Sequence, residues 1–177
     1  MAKVSDNSLY LLSNFASEVA RKLGSDINSI LQDDSGTSPS GFLKKAYSNS
    51  SSKAVYYAPR NPNDGFPPRQ NTLKDANSFS VKTEANIMNS GFKVFANVEL
   101  DQGGRLLHKS LFGDTKGQSV YPWTWIDEGT THGNRYTGNP RNINQAFTRD
   151  WHSQGYRGIF INKMGSQLRR RGWEVVR

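Results

Sequence analysis

Seven apolar side chains, Leu9, Leu12, Phe15, Val19, Leu23, Ile27 and Ile30, recur at spacings of three or four. Only an α-helix gathers that spacing onto one face, because a strand alternates with a period of two. The pattern predicts one helix from about Ser8 to Gln32, with Asp6 or Ser8 as its cap and Glu18 and Lys22 paired one turn apart on the polar side. Gly24 is a weak residue inside it, yet the period passes through without a phase shift. A helix with one apolar stripe must lay it on something, so the rest of the chain has to supply a surface.

The sequence that follows predicts such a surface. Asp33-Asp34-Ser35-Gly36-Thr37-Ser38-Pro39 is rich in turn formers, and a second helix begins near Ser40 with Phe42, Leu43, Ala46 and Tyr47 on one face. The tract Ser48-Asn49-Ser50-Ser51-Ser52 competes for backbone hydrogen bonds and weakens that helix, which Pro59 ends. Residues 59–72 hold four prolines and one glycine, so they predict a projecting loop without regular structure. Phe79, Val81, Ala85 and Ile87 then share odd positions, and Phe92, Val94, Ala96, Val98 and Leu100 share even ones. Two strands joined at Asn89-Ser90-Gly91 are expected, with a third returning over Arg105 to Phe112 as an antiparallel meander under the first helix.

Beyond the meander, Tyr121-Pro122-Trp123-Thr124-Trp125-Ile126-Asp127-Glu128-Gly129-Thr130 precedes a polar loop from Thr131 to Asn144. Ala146, Phe147, Trp151, Tyr156, Ile159, Phe160, Met164 and Leu168 predict further helix, broken at Gly155 and Gly158. Trp173-Glu174-Val175-Val176 is expected to close as a short strand. The whole predicts an α+β fold. It is read as a single domain over 1–177, with the projecting loop at 59–72 and a C-terminal basic extension over 148–177.

Composition narrows the chemistry. The 177 residues are 11% aromatic and contain no cysteine, which excludes a disulfide scaffold, thiolate catalysis, Cys-ligated zinc and iron–sulfur clusters. No apolar run approaches the roughly 18 residues of a membrane span, and the polar amino terminus is unlike a signal peptide, so no membrane partner is expected. Phosphate-cradling, dinucleotide and metalloprotease motifs are absent. His108, His132 and His152 stand apart from one another, so neither a metal nor a cofactor is expected. Asp127-Glu128 with His132 is the best enzymatic grouping, but adjacent carboxylates point in different directions and a turn explains them better than acid–base catalysis.

The net charge of +8 is uneven. Residues 121–177 carry nine basic and four acidic side chains, with Arg169, Arg170 and Arg171 consecutive. Such an excess favours polyanionic surroundings without naming a partner. A sequence-independent nucleic-acid-binding protein and a small hydrolase using Asp127, Glu128 and His132 both stay open as alternatives.

Three segments carry a likeness to a known family. The second helix runs into Tyr56-Tyr57-Ala58-Pro59, the sheet is entered through Asn71-Thr72-Leu73-Lys74-Asp75-Ala76, and the aromatic segment ends Trp125-Ile126-Asp127-Glu128-Gly129-Thr130. In this order they resemble the minor tail or tail-completion proteins of long-tailed bacteriophages, α+β subunits that form rings in the neck. The likeness covers about residues 8–147. The loop at 59–72 is longer and richer in proline than the family's usual one, Asn71 stands where glycine is common, and residues 148–177 lie outside the pattern.

The resemblance implies a non-enzymatic virion protein, assembled in the host cytoplasm. It would form a hexameric or dodecameric ring as head–tail connector, tail-completion protein or tail terminator. Its partners would be an adaptor, a stopper or a terminator, with double-stranded DNA passing through without sequence reading. On that reading Arg60, Phe66, Arg69 and Lys74 anchor an interface at the 59–72 loop, and Trp123, Trp125, Asp127 and Glu128 contribute to another. Arg169, Arg170 and Arg171 then face channel DNA or an acidic neighbour.

Overall fold

A computed structural model describes residues 6–55, 72–88, 91–100, 108–109, 119–120, 130–132, 136–138 and 143–176. The order is α1 (Asp6–Gln32), α2 (Pro39–Val55), two 3₁₀ turns (Thr72–Lys74 and Ala76–Ser78), β1 (Phe79–Met88), β2 (Gly91–Leu100), β3 (His108–Lys109), β4 (Ser119–Val120), β5 (Thr130–His132), β6 (Tyr136–Gly138), α3 (Ile143–Ser153) and α4 (Tyr156–Arg170). Mixed helix and antiparallel strand make it an α+β fold, as the sequence predicts. The strands pair two by two, β1 with β2, β3 with β4 and β5 with β6. The expected third strand over 105–112 is described only at His108–Lys109, which pairs antiparallel with Ser119–Val120. Two compact units emerge: one holds the described residues of 1–42, 81–97 and 160–177, the other those of 43–80 and 98–159.

In the first unit α1 meets the β1–β2 hairpin at Gly24. A Cβ on that residue would stand 2.9 Å from Phe92 Cβ and 3.3 Å from Ile87 Cγ1. The glycine that weakens the helix by propensity is where backbone and hairpin come closest. The stripe is covered unevenly: Ile30 is buried, Val19, Leu23 and Ile27 are half-buried, but Leu12 and Phe15 are 62% and 66% exposed. Ser38 caps α2, its Oγ accepting from the Gly41 amide at 2.9 Å, and Pro39 occupies the first helical position, where its missing N–H costs nothing. Asp33 tightens the preceding turn by accepting the Ser35 amide at 3.0 Å.

In the second unit the core is aromatic. Tyr47, Leu73 and Phe79 are buried together, with Ala54, Val98, Leu100 and Phe147 packed against them. Tyr47 meets Phe79 edge-on at 5.4 Å and Phe147 at 5.0 Å, and Phe147 meets Trp151 at 5.7 Å. The serine tract of α2 stays helical because its hydroxyls find acceptors: Ser51 donates to the Tyr47 carbonyl at 2.6 Å and Ser48 to the Leu73 carbonyl at 2.7 Å.

Two sequence expectations about the C-terminal region need correction. Gly155, at φ +70°, separates α3 from α4 as predicted, but Gly158 lies inside α4, whose hydrogen bonds tolerate it. Residues 173–176 form no strand. Instead α4 ends in a Schellman motif: Gly172 takes φ +86° and donates to the Arg169 carbonyl at 3.0 Å, while the Trp173 amide reaches the Leu168 carbonyl at 3.1 Å. The chain leaves α4 turned back, and its side chains rather than its backbone make the next contacts.

Candidate functional site

Within the first unit, the end of α4 is fastened to α1 through one carboxylate. Asp26 Oδ2 accepts from the Trp173 indole N–H at 2.8 Å, and Asp26 Oδ1 accepts from Arg171 at 2.9 Å. Arg171 donates a second N–H to the Ser29 hydroxyl at 3.0 Å. The Lys22 ammonium lies 5.8 Å from the centroid of the Trp173 ring, within cation–π reach. Helical spacing explains why Lys22, Asp26 and Ser29 act together, since positions three and four apart share a face. The Asp26 carboxyl is held below its ordinary 3.8, chiefly by the Trp173 N–H and further by the positive charges of Arg171 and Lys22. Lys163, one turn into the same unit's part of α4, donates to the Thr37 carbonyl at 2.9 Å.

Arg171 is therefore engaged with α1, although its side chain keeps 35% exposure, while Arg169 and Arg170 are exposed in the last turn of α4. The Arg169 guanidinium lies back over the helix, 3.8 Å from where a Cβ on Gly165 would stand. The sequence grouped all three arginines as outward contacts; nothing in their spacing announced that Asp26, 145 positions earlier, takes one of them.

The second unit buries a separate polar pair. Ser50 Oγ donates to Asp150 Oδ2 at 2.9 Å, where Ser50 and Asp150 are 0% and 2% exposed. The other carboxylate oxygen accepts from the Arg149 guanidinium at 3.0 and 3.1 Å. Closed off from solvent, the pair ties α2 to α3 within this unit. Sequence reasoning missed it, because Asp150 reads as an ordinary polar helix position.

Among the remaining sequence-predicted residues, Lys74 is exposed in the first 3₁₀ turn. Arg60, Phe66, Arg69, Trp123, Trp125, Asp127 and Glu128 lie outside the described residues, as does nearly all of the 59–72 loop. The histidines fall on different elements, His108 in β3, His132 in β5 and His152 in α3. Among the described residues no group of three or more His, Asp or Glu side chains is placed to hold a metal ion.

Neither a protein-family model, a curated protein nor a solved structure matches the chain. Among the described residues, no helix is long and apolar enough to cross a membrane. What the geometry offers is a set of surfaces. Leu12 and Phe15 stand out on α1, and Phe95, at 53% exposed, stands out on β2 of the same unit.

Proposed function

We propose that this protein is a structural subunit of a closed ring in the neck of a long-tailed bacteriophage, as connector, tail-completion or terminator protein. It is read as assembling in the host cytoplasm and acting without catalysis. The observation that carries the assembly reading is the uncovered part of the α1 stripe. Leu12 and Phe15 continue, in phase, the row that buries Ile30, yet they remain mostly exposed. Soluble monomers seldom leave such a stripe open, and subunits of an oligomer use it as contact area. Rings need one patch on each copy meeting a different patch on the next, and the exposed Phe95 on the hairpin offers a second apolar surface. The neck assignment itself rests on the three sequence segments that resemble the tail-completion family.

Electron microscopy of virions containing a labelled copy tests this directly. Density for the label at the head–tail junction is expected, and virions that lack the protein there would refute the assignment. The exposed Arg169 and Arg170 favour a second reading, binding of nucleic acid regardless of sequence, which is compatible with a ring around DNA.

A further inference from the structure

Residues 160–177 carry five basic side chains and one acidic one. In the structure this excess is sorted rather than diffuse. Arg171 is spent on Asp26 and Ser29, and Lys163 on the Thr37 carbonyl. Arg169 and Arg170 are left at the surface at the end of α4. Arg171 and Lys22 both stand against Asp26 and Trp173, and Glu174 is exposed beside Trp173, so the positive balance at this end of α4 is carried by Arg169 and Arg170.

A helix C-terminus attracts cations for its own sake, and one arginine there contributes about 0.3–1 kcal/mol. Three consecutive arginines exceed that need. Successive helical residues are turned by about 100°, so they cannot all face the helix end, and the latch to Asp26 already takes one. A protein partner is a poorer fit than a polyphosphate. Interface cores are depleted of charge and built on aromatic or aliphatic anchors, and the large exposed apolar side chains of this region, Ile159, Ile161 and Val176, stand two turns before the arginines or past the end of the helix. Phosphate contacts, in contrast, need exposed cations on a rigid element and no apolar surround.

We infer that Arg169 and Arg170 form a sequence-independent contact for the phosphate backbone of double-stranded DNA, with Arg171 held out of it as the fastening to α1. The inference deepens the neck-ring reading by naming the residues that meet DNA, and it is tested on the isolated protein.

Fluorescence anisotropy with two unrelated 30-base-pair duplexes, titrated from 50 to 200 mM potassium chloride, reads it out. Wild-type protein binds both duplexes alike, with affinity falling steeply as salt rises. Each phosphate contact adds about 0.9 to the log–log slope, so Arg169→Gln with Arg170→Gln lowers the slope by about 1.8. Over that fourfold range of salt the double variant loses about tenfold less affinity than wild type. Arg169→Lys with Arg170→Lys keeps the slope, which separates charge from damage to the fold. Arg171→Gln keeps it too, while freeing residues 171–176 to exchange their amide hydrogens.

No binding of duplex by the wild type at 50 mM, or an unchanged slope in the glutamine variant, overturns the inference. So does tighter binding of polyglutamate than of duplex when the same two arginines are required, which would assign the patch to an acidic protein. Neck density in virions with an unchanged slope would sink this contact alone, and a falling slope without neck density would sink the ring alone.

Discussion

Replacing Asp26 by alanine removes the carboxylate that receives both Trp173 and Arg171 from the end of α4, leaving the Arg171–Ser29 bond and the Lys22–Trp173 contact, and the structure sets the size of the effect. The carboxylate receives the Trp173 N–H at 2.8 Å and Arg171 at 2.9 Å. The Asp26 and Arg171 side chains keep 20% and 35% of their exposure, so solvent screens the ion pair and its share is at most about 1 kcal/mol. The indole bond is charge-assisted but only half-shielded, and it adds about 1 kcal/mol more. A loss of about 2 kcal/mol corresponds to a fall in Tm of roughly 4–8 °C for a chain of this size.

The pH dependence separates this cause from a general loss of packing. Asp26 is depressed below 3.8 by its Trp173 and Arg171 partners. A depressed carboxyl contributes stability that is complete above the unfolded value and disappears as the pH falls through the lower folded one. The difference between wild type and Asp26→Ala is therefore full at neutral pH and narrows below about pH 3.8. Urea unfolding at a series of pH values, followed by circular dichroism, measures it, with hydrogen exchange of residues 171–176 as the local readout. An Asp26→Ala variant within about 0.5 kcal/mol of wild type at pH 7, a spread ordinary for surface changes, would refute the reasoning, as would a difference that persists unchanged into acid.

Gly24→Ala sets two effects against each other: alanine favours the helix by about 1 kcal/mol, while the new Cβ at 2.9 Å from Phe92 costs about 1–3 kcal/mol. Net destabilisation is expected in thermal unfolding, and a raised Tm would mean the hairpin yields at that point. Ser50→Ala leaves the buried Asp150 carboxylate short of a donor and is expected to cost about 1–3 kcal/mol by urea unfolding. Gly172→Ala, forced to keep φ +86°, costs about 1–2 kcal/mol and frays the end of α4, seen as faster amide exchange at Trp173. Leu12→Glu with Phe15→Glu leaves the subunit's Tm within a degree or two while abolishing higher oligomers in analytical ultracentrifugation, and oligomers that survive it would remove α1 from the interface.

The long helix was legible because its period survives over six turns, and the hairpin because alternation changes phase at a turn glycine. The far contacts were not. Trp173 reads as the start of a strand on β propensity, but Gly172 at positive φ turns the chain and Asp26 captures the indole, so a side-chain bond decides what propensity could not. The serine tract of α2 reads as a helix breaker until the Leu73 carbonyl and the Asp150 carboxylate are known to lie opposite its hydroxyls. Periodicity also shows which side of α1 is apolar, but not how much of it the fold covers, and Leu12 and Phe15 stay exposed. Arg169–Arg171 were visible as a cluster, and only coordinates divide them into one fastening and two exposed cations.

The first unit is stitched from three separated stretches of chain, and this orders events while the protein is being made. Asp26 and Arg171 are 145 positions apart, which at about 5–20 residues per second is roughly 7–30 s of translation. Ile87 and Phe92, which receive α1 at Gly24, also come well after it. A nascent α1 must therefore hold its apolar row open for several seconds, exposed to the cell's holding chaperones and to neighbouring nascent copies, before its own chain supplies the cover.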